Sequence, residues 1–87
     1  SLEDAVCAGA LAARLLESGK FCTVCDSVHA ATDLWSMART DLLGYMEKAA
    51  QRSRLRDKGL DDCIPYCHTF DVTEVIPVLR GDRLTAL

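Results

Sequence analysis

Apolar positions in this chain fall into blocks of different period, and the first block is nearly continuous. Over Ser1 to Gly19, SLEDAVCAGALAARLLESG, Leu2, Ala5, Val6, Ala8, Leu11, Ala12, Ala13, Leu15 and Leu16 cover most of a helix circumference at about 100° per residue. Only Glu3, Cys7, Arg14 and Glu17 leave a narrow polar stripe. Ser1 is placed to cap the helix, Glu3 and Asp4 put negative charge at the positive end of its dipole, and Gly19 suits a left-handed residue just past its end. A helix this apolar is expected to be surrounded by other elements. Ala5, Ala8, Gly9, Ala12 and Ala13 give it low relief where another backbone can approach closely.

The pattern then changes. Lys20 to Cys25, KFCTVC, alternates with β-branched and aromatic residues and reads as a short strand buried on both faces. Asp26 or Ser27 opens a second helix to about Arg39, with Val28, Ala31, Leu34, Trp35 and Ala38 on one side and His29, Thr32, Asp33, Ser36 and Arg39 on the other. Thr40-Asp41 is a new cap. Leu42, Met46 and Ala49 then form a stripe with Leu43 and Ala50 beside it, in a helix that runs through Arg56 or breaks near Ser53. In Leu60 to His68, Asp61 or Asp62 caps a helical turn and Pro65 is tolerated in its first positions. Val75 to Leu79 is an edge strand or a strand start, because of its proline; Arg80-Gly81-Asp82 is a turn, and Arg83 to Leu87 a return strand. The fold class expected is α/β: helices packed on a small sheet, helix-rich, in one domain over residues 1–87.

Charge and composition narrow the function classes. A net charge of −3 argues against nucleic acid as a partner. Arg52, Arg54, Arg56 and Lys58 cluster without interleaved aromatics and read as a solvated helical face. No apolar run approaches the roughly 20 residues of a membrane span, and no signal peptide is visible. An odd number of cysteines, five, without a secretory signal indicates free thiols in a reducing, cytoplasmic setting. The chain opens on a helix cap rather than an initiator Met, which suggests a piece of something longer.

Three chemistries are open to these residues. Cys22-x-x-Cys25 and Cys63-x-x-x-Cys67 with His68 invite a zinc site, against the alternative of small buried hydrophobes, which the sequence favours. A redox role for Cys22-x-x-Cys25 is opposed by the carboxylate of Asp26, next to a thiolate at Cys25. Glu3 and Asp4 are either first-turn charges or carboxylates for Mg²⁺, which takes hard oxygen ligands together with substrate phosphate and water. There is no Gly-rich phosphate loop and no Gly-x-Ser-x-Gly elbow, and His29 and His68 lack a Ser or Cys partner at a recognisable spacing, so the residues themselves assign no catalytic group.

Four stretches in order carry a family resemblance. SLEDAVCAGALAARL (Ser1 to Leu15) resembles the motif that opens the C-terminal part of 2-phosphosulfolactate phosphatases, and DSVHAATDLW (Asp26 to Trp35) resembles their next helix. GLDDCIPYC (Gly59 to Cys67) is similar to their Gly-x-x-x-Asp-Ile-x-Phe-Cys segment, and DVTEVIPVLRGDRL (Asp71 to Leu84) to their closing Val-Val-Pro-x-Leu stretch. The resemblance implies the C-terminal part of a larger α/β protein of two subdomains. It also implies Mg²⁺ dependence, for which Glu3 and Asp4 are the candidate ligands read from the residues, and hydrolysis of 2-phosphosulfolactate, a phosphorylated sulfonate, on the way to coenzyme M. A Ser-x-His-Gly-like segment of the family is replaced here by Ala49-Ala50-Gln51-Arg52-Ser53. The expected partner is the missing N-terminal half or a second copy, engaged through the first helix. The alternatives are a non-catalytic association module of the same ancestry and a small zinc-binding domain.

Overall fold

A computed structural model describes residues 1–87. Five helices precede one hairpin: α1 (Leu2–Glu17), α2 (Asp26–Ala38), α3 (Leu42–Met46), α4 (Ala50–Asp57), a 3₁₀ turn (Asp61–Cys63) running into α5 (Ile64–Cys67), then β1 (Pro77–Arg80) and β2 (Arg83–Ala86). The architecture is the helix-rich α/β arrangement that the sequence predicts, with a sheet of two antiparallel strands.

α1 and α2 form the main packing unit. They meet at Gly9, where the backbone of α2 at Ala31 comes so close that no side chain would fit, and the low relief of α1 thus receives α2. Val6 of α1, Ala38 of α2, Met46 of α3 and Ala49 form the buried cluster, with Leu2, Leu34, Trp35, Leu42 and Tyr45 packed against it. The amphipathic reading of α2 holds: Ala31, Leu34 and Trp35 are half-buried and Ala38 is fully buried.

Local signals are realised with small shifts. Ser1 occupies the N-cap of α1, but its hydroxyl donates to the Asp4 carboxylate instead of accepting from the first turn. Gly19 takes the left-handed conformation after the helix, at φ 74°. Asp41 caps α3, accepting from the Gly44 amide at 3.1 Å. The helix break comes at Glu47–Ala49, earlier than Ser53. Pro65 lies in the first turn of α5, where a missing N–H costs nothing. Gly81 and Asp82 make a two-residue turn with positive φ at the glycine, as such hairpins require.

Three expectations are corrected. Lys20 to Cys25 forms no strand: it has no pairing strand, and Val24 is wholly exposed. Alternating β-branched residues fit a pleated surface, yet a strand also needs a neighbour, and the only ladder here joins β1 to β2. All five cysteines are exposed, so they are not the small buried hydrophobes of the sequence reading. Finally, α1 is not surrounded. Within it only Val6 and Gly9 are buried, because α2 alone lies along its length; Leu11 stays 64% exposed.

Candidate functional site

Because α1 is covered on one side only, the core stays open along the other. The opening is a cleft of about 440 Å³, within the range of small-molecule sites. Its walls are Val6, Ala10 and Leu11 of α1, Trp35 of α2, Leu42 and Met46 of α3, and Ile64 of α5, with Phe70 after them. Trp35 and Phe70 meet edge to face, ring centroids 5.8 Å apart, which draws the segment after α5 against α2.

Polar groups enter this apolar cleft from two directions. Glu3 and Asp4, on the first turn of α1, line it from one element; Gln51, Arg52 and His68 line it from α4 and the end of α5. Glu3 is half-buried and Asp4 exposed. The structure thus puts the two sequence-predicted metal ligands in the same cleft as a cationic side chain and an imidazole.

Arg52 corrects the sequence reading of a solvated basic face. Its side chain is only 14% exposed and bridges Glu47 Oε2 at 3.6 Å and Asp61 Oδ1 at 3.0 Å. The Asp61 contact is close but poorly directed, so it is ionic in character; Arg52 Nε, Arg52 Nη1 and Asp61 Oδ1 are buried without an aligned hydrogen bond. Arg56 completes a four-residue network by bonding Glu47 and lying 3.4 Å from Asp61 Oδ1. The bond to Glu47 raises the Arg56 pKa above its usual value. Arg54 and Lys58 remain on the exposed face, as expected.

His68, read from the sequence only as a zinc ligand or a lone imidazole, also lines the cleft. It is half-buried, with Nδ1 2.9 Å from the Ile64 carbonyl. A carbonyl oxygen only accepts, so Nδ1 carries the proton and the neutral ring keeps Nε2 as an acceptor. The signal available in the sequence was the spacing from Ile64 to His68, one helical turn. His29, by contrast, is exposed on α2, away from the cleft.

The donor set discriminates between metals. Zinc needs about four thiolate or imidazole ligands, and no three Cys, His, Asp or Glu side chains are gathered to hold an ion. Mg²⁺ asks less of the protein: one or two carboxylates, with phosphate oxygens and water completing the octahedron. Glu3 and Asp4 are the two carboxylates that line the cleft.

Cys25 has a different environment from the one expected. It is the N-cap residue of α2, with Sγ 2.9 Å from Ser27 Oγ. The Ser27 hydroxyl, followed by the backbone amides of Val28 and Ser27, lowers the thiol pKa from its ordinary value.

No helix is long and apolar enough to cross a membrane. Comparison with known proteins adds the family. A family model described as 2-phosphosulpholactate phosphatase matches residues 1–82. A Synechocystis protein named as a probable 2-phosphosulfolactate phosphatase is 41% identical over 78 residues, covering 88% of this chain and 32% of its own length. A Gloeothece citriformis protein of the same name is 39% identical over 81 residues, 92% of this chain and 34% of its own. One from Clostridium botulinum (strain Eklund 17B) is 24% identical over 87 residues, all of this chain and 36% of its own. The chain therefore spans about a third of the length of the curated relatives it matches. No solved structure matches it. With four motifs in register and a match over nearly every residue, the chain belongs to the 2-phosphosulpholactate phosphatase family.

Proposed function

We propose that this chain is one portion of a cytoplasmic, Mg²⁺-dependent phosphatase that hydrolyses 2-phosphosulfolactate to sulfolactate and inorganic phosphate, a step toward coenzyme M. The family match over residues 1–82 carries this reading. The cleft supports it by placing Glu3 and Asp4 in one cavity with Arg52 and His68. In this reading Glu3 and Asp4 hold the metal through carboxylate oxygens. Mg²⁺, when bound, offsets phosphate charge as the phosphorus–oxygen bond breaks. Arg52 presents a planar guanidinium, fixed by Glu47 and Asp61, to the anionic end of the substrate. His68 can accept a proton at Nε2 while Nδ1 stays fixed on Ile64.

The reading treats the chain as incomplete on its own. Phosphate esters are among the slowest substrates to hydrolyse uncatalysed and need a full preorganised site, and this chain corresponds to about a third of its relatives. The exposed side of α1 is then where the N-terminal half of the family protein, or a second copy, packs.

A second reading, an association module of the same ancestry without activity, is favoured by one observation. Ala49 to Ser53 stand where the family's Ser-x-His-Gly-like segment is expected; Ala49 is buried in the core, and the next residues begin α4. Phosphate release decides between the two. The 87 residues are grafted in place of the matching segment of a family member that itself hydrolyses 2-phosphosulfolactate. Mg²⁺-dependent release by the graft, absent from the isolated chain, supports the phosphatase reading. A folded graft with no turnover supports the association module.

A further inference from the structure

The C-terminal hairpin is built with its apolar face turned to solvent. The register pairs Pro77 with Ala86 and Leu79 with Leu84. Side chains alternate across a strand, so these four lie on one face, and Val75 extends it. The other face carries Arg80, Arg83 and Thr85 together with the apolar Ile76, Val78 and Leu87. Leu79 is 71% and Leu84 73% exposed, and Pro77 and Ala86 are also exposed. No helix packs extensively on the hairpin, and Val78, on the mixed face, is its one half-buried residue. A two-stranded hairpin is at best marginally stable in water without a third strand or a packed surface, so this element is ordered in its working state only when the apolar face is covered.

The geometry limits what the cover can be. Arg80 and Arg83 flank the two-residue turn and Leu87 donates to the Ile76 carbonyl at 2.9 Å, so Pro77 and Leu79 direct their backbone groups to the outer edge of β1. Pro77 has no N–H to offer there, which disfavours strand addition at that edge. The contact is therefore made by the face. The face presents four side chains, Pro77, Leu79, Leu84 and Ala86, against the roughly 20–30 residues a side of a stable interface. A stable association between separate chains buries roughly 800 Å² per partner, so hairpin-to-hairpin pairing of two copies falls far short. A contact this small suffices within one polypeptide, where the effective concentration is high. The family relatives have about two thirds of their length outside the matching segment.

We infer that the Pro77–Leu79–Leu84–Ala86 face docks onto an apolar face in the remaining two thirds of the family polypeptide, and so clamps the end of this segment to the rest of the fold. This rests on the reading that the chain works as part of the longer family protein. It is distinct from the cleft, whose walls do not include the hairpin.

Amide hydrogen exchange tests it. The cross-strand amides of Val78, Arg80, Arg83 and Thr85 are followed in the free chain and in the chain grafted into the Synechocystis relative. The expected result is exchange at least about a hundredfold slower in the graft, with that protection lost in the double variant Leu79→Lys, Leu84→Lys while the circular dichroism of the free chain is unchanged by the same substitutions. Equal exchange in the free chain and a folded graft overturns the proposal. So does protection in the free chain that grows with protein concentration, which would identify a second copy as the cover. If the graft does not fold, the unaltered Clostridium botulinum relative, whose match spans all 87 residues, decides: fast exchange over the region aligned with the hairpin overturns the proposal, and slow exchange supports it. Phosphate release by the graft reports separately on the activity, so the two ideas can fail independently.

Discussion

Replacing Gly9 by alanine sets two effects of opposite sign against each other. In an exposed helix the change is favourable, by about 0.8–1.0 kcal/mol, because alanine loses less backbone freedom. At Gly9 the added methyl would sit 1.9 Å from the Ala31 carbonyl oxygen, 2.6 Å from its carbonyl carbon and 2.9 Å from Trp35 Cβ. Two of these three atoms are backbone, so no rotamer change relieves the clash. α1 and α2 would have to separate by roughly 1.5 Å to restore ordinary contact distances. That separation loosens Val6 against Ala38, the centre of the buried cluster. Because the backbone must move, the cost falls at the upper end of the overpacking range, about 3 kcal/mol. The net expectation is destabilisation by about 2 kcal/mol, a large share of the stability of a domain of this size. Urea unfolding followed by circular dichroism measures it, as a lower midpoint with the slope unchanged. A Gly9→Ala chain equal to or more stable than the parent would refute close α1–α2 packing at this residue.

Further outcomes follow from the same packing and from the thiols. Met46→Ala, at a side chain 3% exposed, is expected to cost about 2 kcal/mol in urea unfolding, the low end for such truncations, because the adjoining cleft lets water reach the site; a loss under about 0.5 kcal/mol would contradict its place in the core. Alkylation of the thiols mapped by mass spectrometry should find Cys25 modified first as pH rises toward neutrality, since a lowered pKa means thiolate forms at lower pH. Ser27→Ala should slow that reaction at a given pH, and indifference to the change would show that the hydroxyl does not stabilise the thiolate. Sedimentation of the isolated chain should show self-association or binding of apolar dye through exposed Leu11 and Leu15 of α1; a strictly monomeric chain without dye binding would mean that its core is already complete.

What could be read from the residues alone divides by range. The face of α2, the Asp41 cap, the Gly19 terminus and the Gly81 turn are decided within a few residues of chain, and each is realised where its local chemistry points. Lys20 to Cys25 has the composition of a strand, but pairing is a property of two segments, and the second is absent from these 87 residues. The near-continuous apolar character of α1 states how much surface it can bury and not what covers it; here α2 takes one side and the cleft occupies another. Arg52 is inseparable from Arg54 and Arg56 by sequence. Only the fold, by bringing Glu47 and Asp61 to either side, turns it inward. His68 enters the cleft for a similar reason, through the turn that Ile64 anchors. Glu3 and Asp4 were legible as a pair, and their presence in the same cavity as Arg52 emerges from tertiary structure alone.

In the proposed function, the first turn of α1 forms the metal-holding end of a phosphatase site. The most direct measurement is the Mg²⁺ dependence of 2-phosphosulfolactate hydrolysis by the grafted protein, before and after Glu3→Gln and Asp4→Asn. Both substitutions keep side-chain size and remove charge, so folding should be preserved and can be checked by circular dichroism. The account predicts that the Mg²⁺ concentration for half-maximal rate rises at least about tenfold in each variant, as expected when a carboxylate ligand is lost. An unchanged Mg²⁺ requirement in folded, active variants would contradict it and move the metal to another part of the family protein.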